Sequence, residues 1–79
     1  MTPLYGFLEG DTMGLLIFAY EEETVGDLAR KLERAAALRV APKPRVTLIH
    51  RDRPVDPSLT VRAAGLEALD RFDVVEDRS

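Results

Sequence analysis

Cysteine is absent from these 79 residues. Neither a disulfide framework nor a thiolate metal site can therefore hold so short a chain together, and stability must come from packing. Histidine occurs once, at position 50. A histidine-and-carboxylate zinc site is incomplete on that basis, and any Ser-His-Asp set hangs on the one residue. The five glycines fall in neither a G-x-G-x-x-G spacing nor a lysine-bearing phosphate loop. The first twenty residues lack a basic start, an apolar stretch and a small-residue cleavage site, and no segment approaches the roughly 20 apolar residues of a membrane span. The chain is thus expected in the cytoplasm. Basic charge is not in excess either: a net charge of −3 weighs against general nucleic-acid binding, which depends on neutralising phosphates.

Hydrophobic residues make up 46% of the sequence, enough to fold rather than stay disordered. A chain this short buries about 60% of the surface its unfolded form exposes, so a single small domain over residues 1–79 is expected. Charge is unevenly distributed. Arg39, Lys43, Arg45, Arg51 and Arg53 face only Asp52 between positions 39 and 53, while Glu21, Glu22 and Glu23 form one acidic cluster and Glu67, Asp70, Asp73, Glu76 and Asp77 another. Such runs read either as solvated faces or as interaction surfaces.

Leu4 to Glu9, the Gly10-Asp11 turn and Thr12 to Tyr20 form a hairpin signal. In the second strand Leu15, Ile17 and Ala19 share one face and Leu16, Phe18 and Tyr20 the other. Both faces are apolar, so the pattern leaves open which one is covered. Thr24, with Asp27 three positions on, predicts a helix start. Val25, Leu28, Ala29, Leu32, Ala35 and Ala36 then recur at three and four, with Asp27, Arg30, Lys31, Glu33 and Arg34 turned away.

Pro42 and Pro44 end the helix and open a connector over 40–44. Arg45 to His50 alternates, with Val46, Leu48 and His50 opposite Arg45, Thr47 and Ile49, as a strand with one better-buried face does, and Arg53 to Val55 reads as a short further strand. Leu59 and Val61 are expected to plug the core, Ala63-Ala64 to form one helical turn, and Gly65 to end it in the left-handed region. Phe72 to Glu76 is the last strand, suited to a central position. One helix with one apolar stripe covers one face of one sheet, which predicts a two-layer α+β domain with four to five strands in a mixed sheet.

This order resembles the ubiquitin-like β-grasp fold, on the strength of Thr24-Val25-Gly26-Asp27-Leu28, Leu59-Thr60-Val61, Gly65-Leu66 and Asp70-Arg71-Phe72-Asp73-Val74-Val75. Ubiquitin-like modifiers and sulfur carriers act through a C-terminal Gly-Gly, whereas this sequence reads Glu76-Asp77-Arg78-Ser79. Conjugation and sulfur transfer are not expected of it. Self-contained catalysis is not expected either, because an active site needs convergent acid, base, nucleophile or metal ligands. Asp52 follows His50 by two positions, on the same face if the strand continues, and that pair reads as a surface hydrogen bond rather than a dyad. No catalytic, cofactor-binding or metal residues are assigned.

The segment around Arg39, Pro42, Lys43, Pro44 and Arg45 carries two readings. One is a charged rim that complements the helix dipole. The other is a docking surface for an acidic protein, stiffened by its two prolines so that less entropy is lost on binding.

Pro3-Leu4, Glu9-Gly10-Asp11, Leu16 to Ala19, Ala29 with Lys31, Arg39-Val40-Ala41-Pro42-Lys43-Pro44, Gly65-Leu66 and Asp73-Val74-Val75 carry a narrower similarity. Through them the chain, within the β-grasp folds, most resembles the small gamma subunit of bacterial multicomponent toluene and alkene monooxygenases. The resemblance implies a noncatalytic subunit, without cofactor of its own, bound to a larger hydroxylase subunit that owns the iron, oxygen and substrate sites. A ubiquitin-like component of type VII secretion and a free-standing β-grasp adaptor remain as alternatives.

Overall fold

The computed structural model describes residues 1–77, so Arg78 and Ser79 of the acidic tail lie outside the described residues. The chain runs β1 (Thr2–Leu8), β2 (Gly14–Ala19), α1 (Val25–Ala35), β3 (Val46–His50), β4 (Arg53–Pro54) and β5 (Arg71–Glu76). The strands form one sheet in the order β2-β1-β5-β3-β4. β1 and β5 are parallel, with Gly6 opposite Phe72, and every other pairing is antiparallel. The first and last strands therefore occupy the middle, and this is the β-grasp arrangement the element order predicts. The expected central place of the last strand is what the structure adopts.

α1 starts where Thr24 Oγ1 accepts a hydrogen bond from the Asp27 amide at 3.1 Å. Two further N-terminal amides are satisfied by distant carbonyls, Val25 by Leu59 at 2.8 Å and Gly26 by Pro57 at 2.9 Å. Helix amides that lack a partner within the helix thus anchor it to the segment before β5. Val25, Leu28, Ala29, Leu32 and Ala36 are buried against Leu4, Leu8, Ile17, Leu48, Phe72 and Val74 of the sheet.

Three expectations about the core are corrected. Ala35 is exposed and Glu33 is buried instead, because the loop after the helix folds back on that side and brings the Lys43 amide to the Glu33 carboxylate, whose other oxygen is held by Arg30 of the helix. Leu59 remains 39% exposed while Val61 is fully buried. Leu59 serves through its carbonyl, which holds the start of the helix, and Val61 alone of the two fills the core. Gly65 adopts the left-handed conformation expected of it, at φ 77°.

Among the described residues no helix is long and apolar enough to cross a membrane.

Candidate functional site

The predicted docking segment leaves α1 with Arg39 and Val40 turned back on its last turn, their amides donating to the Ala36 carbonyl at 2.9 and 3.0 Å. Arg39 is engaged within the fold. Its Nε and Nη2 donate to the two oxygens of Asp11 at 2.9 to 3.1 Å, joining this segment to the turn between β1 and β2. Farther on, Lys43 donates its amide to Glu33 Oε2 at 3.1 Å, and Arg30 reaches the Lys43 and Pro44 carbonyls at 3.4 Å while pairing with Glu33 Oε1. One buried carboxylate and one guanidinium on the helix clamp the proline-bounded loop. Burying Glu33 is tolerable because each of its oxygens has a donor.

The clamp uses the loop's backbone and leaves its charge outward. Among the described residues neither the Lys43 nor the Arg45 side chain has an ion-pair partner. Arg45 stands at the mouth of a cleft of about 320 Å³ between α1 and β3, whose walls include Val25, Ala29, Leu48 and Val55. Of the five singled-out residues, the structure brings Pro42, Lys43, Pro44 and Arg45 together beside the helix and assigns Arg39 to Asp11.

Sequence reasoning left undecided a second surface. On β2 the covered residues are Ile17 and Ala19, so Leu16 and Phe18 project from the sheet face opposite α1, 49% and 50% exposed. Tyr5 of β1, opposite Leu16 in the register, is 43% exposed. Phe7 lies across the same face, with the Arg71 guanidinium 4.0 Å from its ring centre and Asp73 holding that guanidinium at 3.0 Å. Gly14 stands opposite Phe7, and a side chain there would meet the ring at 2.5 Å.

His50 does not pair with Asp52. Arg51 and Asp52 turn into the left-handed region, at φ 54° and 64°, and end the strand face they were expected to share. The buried imidazole instead lies with Nε2 3.0 Å from Asp70 Oδ2, an oxygen that also accepts the Glu67 amide at 3.0 Å. This set braces the loop entering β5. No group of three or more metal-ligating side chains converges among the described residues.

Asp70, Asp11 and Asp56 titrate below the usual carboxylate range. The Glu67 amide does this for Asp70, with His50 and Arg51 adding to it; the Arg39 guanidinium does it for Asp11; the Ser58 amide does it for Asp56. Because each folded value lies under the unfolded one near 3.8, the unfolded chain takes up protons first as the pH falls. The stabilisation is full above the unfolded value and is lost through the folded ones. Denaturant midpoints should therefore be level from neutrality to about pH 5 and decline below about pH 4. A midpoint that stays level to about pH 2 contradicts the assignment of these hydrogen bonds.

Comparison with known proteins follows the same lines. Residues 1–75 match the family model described as toluene-4-monooxygenase system protein B. No curated protein sequence matches. A chain of the toluene 4-monooxygenase HD complex with the inhibitor 4-bromobenzoate superposes with a TM-score of 0.88 at 20% identity, over 96% of this chain and 98% of that one. The ubiquitin of Caldiarchaeum subterraneum gives 0.77 at 18% identity, over 99% and 95%. A protein described as promoting DNA repair by molecular mimicry of SUMO gives 0.73 at 23% identity, over 94% and 89%. At these identities the superpositions speak for the fold, and the family model speaks for descent.

Proposed function

The chain belongs to the toluene-4-monooxygenase system protein B family, and from that membership we propose that it is a noncatalytic accessory subunit of a multicomponent diiron monooxygenase, an aromatic or alkene hydroxylase. It acts by binding the larger hydroxylase subunit. The observation that carries this reading is the family match across residues 1–75. The donor set agrees with it. A carboxylate-bridged diiron centre is built from Glu and Glu-x-x-His positions on facing helices, whereas the described residues hold one helix and keep the single histidine on β3 against Asp70. The iron chemistry belongs to the partner, and this chain supplies contact area and stability to the assembly.

Lys43 and Arg45 fit the docking role proposed for their loop. The Glu33 and Arg30 clamp holds the backbone before any partner arrives, which lowers the ordering entropy lost on association. Charges at an interface rim chiefly raise the association rate and make it salt-dependent. Arg39 has a different part: reversing it would set a glutamate against Asp11, whose side chain is 2% exposed, and would damage the fold as well as the loop.

The test is tagged co-purification with the co-encoded hydroxylase subunit. The unsubstituted chain should recover it, and Lys43→Glu with Arg45→Glu should slow association by about tenfold at low salt with an unchanged denaturant midpoint. Recovery of a secretion ATPase, or of no hydroxylase at all, overturns the reading. Equal association rates for the two forms remove the loop from the interface.

A further inference from the structure

We propose that the outer sheet face formed by Tyr5, Leu16 and Phe18 is the main contact with the larger subunit, and that it seats an uncharged, apolar protein surface. This deepens the accessory-subunit reading and rests on it.

The face is built as a unit. Pro3 accepts a hydrogen bond from Leu69 and Tyr5 donates to Asp70, both on the β5 side. The backbone groups of Pro3 and Tyr5 therefore point away from β2, and the Pro3–Phe18 and Tyr5–Leu16 pairs are of the closely spaced, non-hydrogen-bonded kind. Their side chains sit as direct neighbours. Tyr20, 61% exposed just past the end of β2, turns its ring to Lys31 of α1, whose Nζ lies 5.3 Å from the ring centre, and does not belong to the row. With roughly 200 Å² for each free side chain, Tyr5, Leu16 and Phe18 leave about 300 Å² open. Single exposed apolar residues are ordinary on protein surfaces; a contiguous row of this size matches the largest apolar patch of a typical monomer, and such patches are often functional.

Charge narrows the occupant. The ions beside the row, Arg71 and Asp73, neutralise each other at 3.0 Å, so a charged partner gains nothing there. Glu21 and Glu22, which follow Tyr20, pair with Arg62, and Glu23 pairs with Lys31, so that end of the face holds no block of free cations to attract an anionic lipid surface or nucleic acid. Area narrows it further. Two copies meeting row to row would bury about 600 Å² in all, short of the roughly 1,200 Å² at which stable interfaces begin. A larger partner can extend the contact beyond the row. The geometry also favours side-chain contact over addition of a strand to the β2 edge, because the Tyr20 amide donates to Glu23 at 2.7 Å and Lys31 Nζ donates to the Phe18 carbonyl at 2.9 Å. Those two groups close that end of the edge.

The experiment compares the unsubstituted chain, the double variant Leu16→Lys with Phe18→Lys, and Leu38→Lys, each co-expressed with the hydroxylase subunit. Leu38 is an exposed leucine in the loop after α1, outside the face. Affinity should fall on the order of 100-fold in the double variant, as for two central contacts of an interface, and stay level in Leu38→Lys, with denaturant midpoints unchanged in both. Affinity of the double variant within about threefold of the unsubstituted chain overturns the face and leaves the accessory-subunit reading standing. Failure of the unsubstituted chain to bind overturns both. An isolated chain that sediments as a dimer, and that the double variant renders monomeric, makes the face a contact between copies and overturns the proposal too. If the lysines unfold the chain, hydroxyl-radical labelling of the unsubstituted complex decides: labelling of Tyr5, Leu16 and Phe18 should drop on association, and undiminished labelling rejects the face.

Discussion

Leu32→Ala should lower the unfolding free energy by about 2–5 kcal/mol, the range for truncating a fully buried leucine whose surroundings relax only in part. Leu32 has no exposed surface and sits in the middle of α1. Both its terminal methyls reach the backbone of β1: a side chain built on Gly6 would find them at 3.0 and 3.1 Å. The methyls thus fill the space between helix and sheet where no other layer exists. Domains of this length are stable by about 4–12 kcal/mol in total, so the substitution removes a large share of what holds the fold. Leu48→Ala tests the same core from β3, where Leu48 is 2% exposed, and falls in the same range of about 2–5 kcal/mol. Urea midpoints measure both. Unchanged midpoints would show that the helix does not lie on the sheet in this way.

Gly6→Val should destabilise by about 3 kcal/mol, the upper end for forcing volume into a packed core. Even a first carbon on Gly6 would lie 2.8 Å from Phe72 Cζ, and Phe72 is fully buried on the adjacent central strand. Its ring has nowhere to retreat. Valine suits a strand better than glycine does, so propensity alone calls for a gain, and the sign of the measured change separates the two effects. The site also couples to the first one. Leu32→Ala opens room beside Gly6, and Gly6→Val in that background should cost less than in the unsubstituted chain, giving a coupling of about 0.5–3 kcal/mol in a double-mutant cycle. Strict additivity would mean that the helix and β1 do not touch at this point.

The helix start at Thr24, the stripe through Leu32, the proline-bounded loop and the buried face of β3 were all legible in the sequence, because each depends on residues within one or two turns of one another. Glu33 was misread for the converse reason. By periodicity it belongs on the solvent face, and it is buried because Lys43, ten positions on, delivers an amide to it. His50 finds its partner in Asp70, twenty positions away, and Arg39 finds Asp11 at twenty-eight. The charge of the proline-bounded loop was legible; that the helix clamps its backbone and leaves Lys43 and Arg45 without ion-pair partners among the described residues was not.

By itself the sequence determined the kinds of element, their order and the absence of a thiol framework, since composition and local period carry that information without reference to distant parts of the chain. Only the tertiary structure decided which side of the hairpin meets α1. Leu15, Ile17 and Ala19 satisfy a strand's alternation as well as Leu16, Phe18 and Tyr20 do, and a period of two cannot tell one apolar face from the other. The choice is made where the sheet closes on the helix. It leaves Leu16 and Phe18 half exposed, and the surface available to a partner follows from it.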